Sequence, residues 1–177
     1  MMFRILLIFS LILVPIKVMA LIEVDITRGN LNPLPIAVSP LSIDENSKKN
    51  FQKILDKKNI GSEISKVVEK NLKTSGLFNP LNKDAFLQSP DIANLKPRFE
   101  DWNLIKAQAL ITGKVEFIDE KLRVEFRLWD VLAGKEMIAL AFTTVPENWR
   151  RVGHIITDKV YQRLTGEEGY FDTRIIY

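Results

Sequence analysis

The second half of the chain alternates between apolar and polar residues. From Lys121 to Leu128 every second residue is charged and its neighbours are apolar, which is the pattern of a strand with one buried and one solvated face. Residues 109–117 alternate in the same way, whereas residues 136–142 are mostly apolar on both sides. The pattern predicts a meander of three antiparallel strands. We expect its third strand to be central or covered by a helix.

Two other segments repeat apolar residues every three or four positions, as one face of a helix does. The first predicted helix covers residues 62–75, with Ser62 as its N-cap and Gly76 as the left-handed residue after its end. The second covers residues 147–165 and is followed by Gly166. Their apolar stripes are Ile64, Val67, Val68 and Leu72 in the first, and Trp149, Val152, Gly153, Ile156, Val160 and Leu164 in the second.

The remaining body adds shorter elements to this frame. Residues 36–39 predict a short buried strand, residues 44–59 a polar loop with some helix, and residues 99–107 a short helix that buries Trp102 and Ile105. The fold class that follows is α/β of the α+β type. It is a mixed β-sheet with an antiparallel meander and two main amphipathic helices packed on it.

An N-terminal arm precedes this body. Residues 22–27 alternate between aliphatic residues and Glu23, Asp25 or Thr27, and a Pro-rich stretch at residues 32–35 sets them apart. We predict an extended arm and link over residues 21–35. Such a segment can add to the sheet edge of another protein. It can equally pack on its own domain as an edge strand, and the pattern alone leaves both possibilities open.

Residues 1–20 have the features of a secretory signal peptide. Arg4 precedes an apolar run at residues 5–14, and Ala20 closes the segment, so we expect cleavage between Ala20 and Leu21. The apolar run is shorter than the roughly 20 residues that a membrane-spanning helix needs. The alternative is an uncleaved N-terminal anchor.

Charge and composition exclude several functions. The chain has a formal net charge of +3, but Arg4 and Lys17 contribute two of those charges, so residues 21–177 carry only +1. This near neutrality and the predicted export give no support to nucleic-acid binding. The absence of Cys excludes disulfides, thiolate metal sites and a cysteine nucleophile. With a single His, a multi-histidine metal site is excluded as well.

Few residues offer chemistry. His154 and Asp158 are four residues apart on the second predicted helix and could pair there, with His154 facing solvent. The alternative function is a small secreted hydrolase that uses hairpin carboxylates, above all Glu116 and Asp130. We predict no catalytic, cofactor-binding or metal site and no small-molecule substrate. The carboxylates that could lie near one another on or beside the sheet are Glu116, Asp119, Glu120, Glu125 and Asp130. The residues that could stack on RNA bases are Arg123, Arg127 and Trp129.

Several motifs in order along the chain resemble the N-terminal domain of the TolB family. They are residues 35–41 (PIAVSPL), 75–81 (SGLFNPL), Val115, 122–131 (LRVEFRLWDV), 148–156 (NWRRVGHII), 161–166 (YQRLTG) and 169–175 (GYFDTRI). The resemblance places the family's α/β domain at residues 36–168. Residues 169–177 would begin the link or first strand of a β-propeller that the sequence does not contain.

The resemblance implies a non-enzymatic periplasmic component of the Tol-Pal system, which serves outer-membrane integrity during cell division and, in the family, import of proteins such as colicins. In the family the mature N-terminus is recognised by TolA and can instead lie back on the protein. The implied TolA-binding residues are Leu21, Ile22, Glu23, Val24, Asp25, Ile26, Thr27 and Arg28.

The resemblance also sets expectations for partners and for the extent of the protein. Because Pal binds the propeller in this family, we expect no Pal binding here, and we expect a monomer without cofactors. A gene fragment, a split reading frame and a deliberate single domain remain open. A fragment with partial function or none is therefore an alternative.

Overall fold

A computed structural model of the protein describes residues 22, 32–57 and 59–173. Its first part contains short strands and helices, and the three long strands follow in succession. The strands are β1 (Leu34–Val38), β2 (Ser42–Ile43), β3 (Phe78–Pro80), β4 (Ala109–Ile118), β5 (Lys121–Asp130) and β6 (Lys135–Thr144). The helices are α1 (Glu45–Leu55), α2 (Ile60–Thr74), α3 (Pro90–Leu95), α4 (Phe99–Leu104) and α5 (Trp149–Thr165), with 3-10 turns at Lys83–Ala85 and Pro146–Asn148.

The strands form one mixed sheet in the order β3-β1-β4-β5-β6, and β2 pairs with β4 beyond the end of β1. The pairs β3–β1 and β1–β4 are parallel, whereas β4–β5 and β5–β6 are antiparallel. The predicted fold class and the meander are confirmed. A two-residue turn joins β4 to β5, with Asp119 and Glu120 both at positive φ, as the twist of a tight hairpin requires.

The third strand of the meander is an edge strand, so the expectation of a central or helix-covered position is wrong. No residue of β6 is buried, and six of its ten residues are exposed. Its second apolar face consists of Ala139 and Ala141, small residues that lie on the open side of the sheet. These alanines explain why the sequence reads as apolar on both sides.

The main core lies between the sheet and the helices α2 and α5. The predicted apolar stripes are confirmed: every residue of both stripes is buried. The two helices approach closely because α5 has no side chain at Gly153, where a Cβ would lie 2.8 Å from Val67 Cγ1. Gly76 and Gly166 end the helices at positive φ, as predicted.

A smaller core on the opposite face lies beneath α3 and α4. Trp102 is 1% exposed there and packs edge-on against Phe86 at 5.0 Å. Burial of Trp102 is therefore confirmed, whereas Ile105 is only half-buried. The sheet contributes small and aliphatic residues to this layer, so both faces of β1 and the first half of β4 are covered.

The segment predicted as a polar loop with some helix is mostly the helix α1. Asp44 caps it: Oδ1 accepts hydrogen bonds from the amides of Asn46 and Ser47, and Oδ2 accepts one from Ser47 Oγ at 2.6 Å. The same Ser47 Oγ accepts a hydrogen bond from the Phe117 amide at 2.8 Å. This chain of bonds joins the start of α1 to the end of β4, a contact that local periodicity does not reveal.

Helix α2 begins two residues earlier than predicted. Its N-cap is Asn59, whose Oδ1 accepts a hydrogen bond from the Ser62 amide, so Ser62 is not the cap. The first turn includes Gly61, which lies so close to the Leu41 backbone that a Cβ would overlap the Leu41 carbonyl oxygen. A glycine that looks like a helix breaker in sequence is present here because of this tertiary approach.

We expect Gly61→Ala to lower the free energy of unfolding by about 1–3 kcal/mol, because the added methyl group meets backbone that cannot move aside. The expected gain in helix propensity, about 1 kcal/mol or less, opposes this effect. Urea denaturation measures the difference. The control is Ser62→Ala at the next position of α2. An unchanged urea midpoint for Gly61→Ala would show that the Leu41 backbone yields.

The capping network at Asp44 predicts a pH dependence. Hydrogen bonds from the Ser47 side chain and then the Ser47 and Asn46 amides hold the pKa of Asp44 below its usual value. Its stabilisation is therefore present above the unfolded pKa, about 3.9, and is lost as pH falls through the lower folded value. Asp44→Asn should be less stable than wild type at pH 7, and this difference should shrink towards pH 2.5. A urea-midpoint difference that stays constant over that range would contradict it.

Candidate partner-binding segment and surface

The predicted TolA-binding arm lies almost entirely outside the described residues. Of residues 21–28 the structure places Ile22, whose side chain is half-buried and packs against the main core. The predicted cleavage junction between Ala20 and Leu21 also lies outside the described residues. Ile22, the described residue of the arm, thus contacts its own domain, and the pairing of the arm with a partner stays a prediction.

The arm joins the body at β1, an inner strand of the sheet that lies between β3 and β4. Strand β1 begins at Leu34, inside the segment predicted as a link, and the Leu34 amide donates to the Leu77 carbonyl at 2.9 Å. Pro35 is tolerated because its missing N–H precedes the pairing with β4, which starts at Ile36. Its carbonyl accepts a hydrogen bond from the Gln108 amide. The arm is therefore anchored on a strand with neighbours on both sides.

Among the described residues, β3 and β6 end the strand order of the sheet, and the two-residue strand β2 pairs with β4 alone. Strand β3 has three residues and ends with Pro80, whereas β6 has ten residues and is uncharged from Met137 to Thr144. This long edge differs from the expectation of a central or helix-covered third strand. One signal could have found it: no strand pattern follows β6 before the last helix, so the end of the meander has no evident neighbour.

Charged residues on the open face of β4 and β5 neutralise one another. Lys114 Nζ lies 2.9 Å from Glu116 and Arg123 Nη2 lies 2.7 Å from Glu125. The hydrogen bond from Arg123, followed by the charges of Lys114 and Arg123, holds the pKa of Glu125 below its usual range. A lowered pKa keeps this carboxylate ionised, which is unsuited to a general acid.

The residues considered for RNA stacking are also engaged within the domain. Arg127 Nε lies 3.3 Å from Glu136, and Trp129 Nε1 donates to Thr112 Oγ1 at 2.9 Å. The Trp129 ring meets Phe99 edge-on at 5.8 Å. Stacking of a base on Trp129 would compete with this packing.

The carboxylates of the hydrolase alternative are not brought together. Glu116 pairs with Arg123 near the turn of the hairpin, and Asp130 pairs with Ala109 at its other end. Seven residues along a strand span roughly 23 Å. Asp130 is 1% exposed and accepts a hydrogen bond from the Ala133 amide, so it stabilises the next turn.

His154 and Asp158 also have separate roles. His154 is half-buried, and its Nδ1 lies 2.9 Å from Asn71 Nδ2 on α2, so the expectation that it faces solvent is wrong. Asn71 additionally donates to Thr157 Oγ1. The helical stripe places His154 beside the apolar face, and the close approach of α2 turns that flank into an interface.

Asp158 instead holds the last described segment of the chain. Its two oxygens accept hydrogen bonds from the amides of Phe171 and Asp172, at 2.7 and 3.0 Å. Arg151 makes a two-pronged ion pair with Asp172, and Phe171 packs against the main core. Residues 171 and 172 form a bend rather than part of the predicted strand, whose remainder lies outside the described residues.

Within residues 22, 32–57 and 59–173, no cluster of three or more His, Asp or Glu side chains could hold a metal ion. The helices in those ranges are also too short or too polar to cross a membrane. The described surface offers strand edges and paired charges.

Known proteins are similar to this chain in sequence and in fold. The chain is 82% identical over 166 residues to the Tol-Pal system protein TolB of Pelagibacter ubique strain HTCC1062, a match that covers 94% of the chain and 37% of the relative. The crystal structure of TolB from Acinetobacter baumannii superposes with a TM-score of 0.62 at 22% identity, over 79% of this chain and 30% of that one. The sequence-family model described as the TolB amino-terminal domain matches residues 22–137, and the chain therefore belongs to this family.

Proposed function

We propose that this chain is a non-enzymatic protein interaction module of the Tol-Pal system, that it acts in the periplasm, and that residues 21–28 bind TolA by strand addition. Its family membership and its 82% identity to a Tol-Pal system protein support a role in that system. Because the chain spans 37% of that relative's length, the proposal concerns the amino-terminal portion alone.

The attachment of the arm to β1 is the structural observation that carries the proposed mode of binding. The arm leaves the body next to Asn32 and Pro33, which are both exposed, and it continues into a strand fixed on two sides. A strand-competent segment tethered in this way can pair its backbone with a partner's sheet edge. Its aliphatic side, Ile22, Val24 and Ile26, would face the partner's apolar surface.

The contact of Ile22 with the main core makes the binding of the arm to a partner less favourable. If the partner's sheet also takes up Ile22, that side chain must leave its own domain, and burying an aliphatic side chain is worth about 1.5–3 kcal/mol in full. Half-burial is worth less than that. The partner must therefore offer Ile22 a comparable apolar site for strand addition to be favourable.

The proposal of a non-enzymatic role draws on the polar groups of the described residues. The carboxylate of Asp130 supports a turn, Glu125 is held ionised in a salt bridge, and His154 contacts Asn71 between two helices. Each of these groups has a structural partner. A general acid or base would need a reacting proton within reach instead.

Deletion of residues 21–32 should abolish binding to the TolA of the same organism, because it removes the strand that pairs. Isothermal titration calorimetry with the purified chain and the periplasmic part of TolA measures this. Circular dichroism of the deletion variant should match that of the intact chain, since β1 starts at Leu34. Equal affinity of the intact chain and the deletion variant for TolA would contradict the proposed role of the arm.

The alternation of the arm can be tested separately from its presence. Val24→Lys should weaken TolA binding by about tenfold or more, since it removes a buried aliphatic side chain worth about 1.5 kcal/mol or more. Asp25→Asn, on the opposite side of the arm, should change the Kd by less than about threefold. Similar losses for both variants would show that TolA does not distinguish the two sides of a strand.

A further inference from the structure

The segment between β3 and β4, residues 82–107, keeps its backbone hydrogen bonds within itself. Among the described residues, its amide-to-carbonyl bonds join only members of the segment. Bonds to the sheet begin immediately outside it, where the Leu81 amide donates to the Ile36 carbonyl at 3.0 Å. At the other end the Gln108 amide donates to the Pro35 carbonyl at 2.9 Å. We call residues 82–107 the cover segment, because they contain α3 and α4 and cover the smaller core.

A buried glutamine braces the cover segment from inside. Gln88 is 5% exposed. Its Nε2 donates to the Arg98 carbonyl at 2.8 Å, and its Oε1 accepts from the Arg98 amide at 3.1 Å. Nε2 also donates to Asp101 Oδ2 at 3.1 Å, and Arg98 Nε donates to the same oxygen at 3.0 Å. These bonds join the loop before α3 to the start of α4, so the segment can keep its shape while its contacts with the sheet break.

Among the described residues, few polar contacts tie the cover segment to the rest of the domain. Arg127 Nη1 on β5 donates to Asn94 Oδ1 at 3.4 Å, which is long for a hydrogen bond. Lys83 Nζ lies 2.6 Å from Glu69 on α2, and both side chains are partly exposed, so this ion pair contributes little. The described part of the domain therefore holds the segment mainly by apolar packing.

The closed position of the cover segment is not fully favourable. Trp102 Nε1 is buried without a hydrogen-bond acceptor among the described residues, and a buried donor without an acceptor destabilises a fold. Helices α3 and α4 have six residues each and no side-chain N-cap bond, so neither is stable by itself. Four aliphatic side chains of the segment are more than half exposed: Leu87, Ile92, Leu95 and Leu104. Opening brings the Trp102 N–H into water and loses only the packing of the smaller core.

We propose that the cover segment opens and closes as one unit, hinged at Leu81 and Gln108. Opening uncovers one face of β1 and of the start of β4, where Ala37 and Leu110 are 0% exposed beneath the segment. Lys106, beside the second hinge, has a φ of 61°, which is uncommon for a lysine and can change as the hinge moves. The main core stays closed, because α2 and α5 lie on the other face of the sheet. The open form presents an apolar surface on β1, the strand that carries the arm.

The absence of cysteine allows the opening to be measured with single introduced thiols. Ala37 lies beneath the cover segment, Ala93 lies within it, and Ala109 faces the main core; each is 0% exposed. Ala37→Cys and Ala93→Cys should react with iodoacetamide at similar rates, since one opening exposes both. The matched control is Ala109→Cys, which should react at least about tenfold more slowly because its exposure requires global unfolding.

The three rates separate concerted opening from the alternatives, and urea midpoints show whether the variants are equally stable. Reaction of Ala93→Cys without reaction of Ala37→Cys would show that α3 frays alone, and it would overturn the proposal. One equal rate for all three variants would also overturn it, since global unfolding would then account for every exposure.

Hydrogen exchange of the unmodified chain tests the same motion without a substitution. The amides of Ala93, Lys96, Asp101 and Ala107, which bond within the cover segment, should share one free energy of opening that falls with urea. That value should lie below the value for β4 and β5. Independent values for the four amides, or a shared value equal to that of β5, would contradict a concerted opening.

Discussion

The hydrogen bonding of β4 on both of its edges is the constraint on which the rest of the structure depends. This strand pairs with β1 and β2 in parallel on one side and with β5 antiparallel on the other. Residues 109–111 have neighbouring strands on both edges and are buried. Helices must then cover both faces, because backbone and apolar side chains in the middle of a sheet cannot remain exposed to water. The main core and the smaller core follow from that requirement.

Sequence periodicity predicted the elements whose information is local. The meander, the stripes of α2 and α5, and the glycines that end these helices all follow from spacing within one segment. The misplaced features depend on residues distant in sequence: the joining of α1 to β4 through Ser47, the need for Gly61 beside Leu41, and the partly buried position of His154 against α2. Periodicity identifies which face of a strand is apolar, but it does not identify the strand beside it, and β6 was misplaced for this reason.

The candidate site divides along the same line. The alternation of the arm and the motifs of its family were legible in the sequence, since both are properties of short segments. The sequence did not reveal which carboxylates lie close enough to share a reaction, because that depends on the register of the hairpin, which separates Glu116 from Asp130. Pairing of charges across strands, as in Arg123 with Glu125, likewise appears only once the strands are aligned.

The position of β1 between two neighbouring strands has a mechanical consequence. A load applied at Leu34 along the direction of β1 acts across hydrogen bonds that run sideways to β3 and β4. These bonds are therefore sheared together and share the load, whereas a strand peeled from an edge loses its bonds one at a time. A tether built in this way can transmit tension from a partner into the body of the domain without unravelling it.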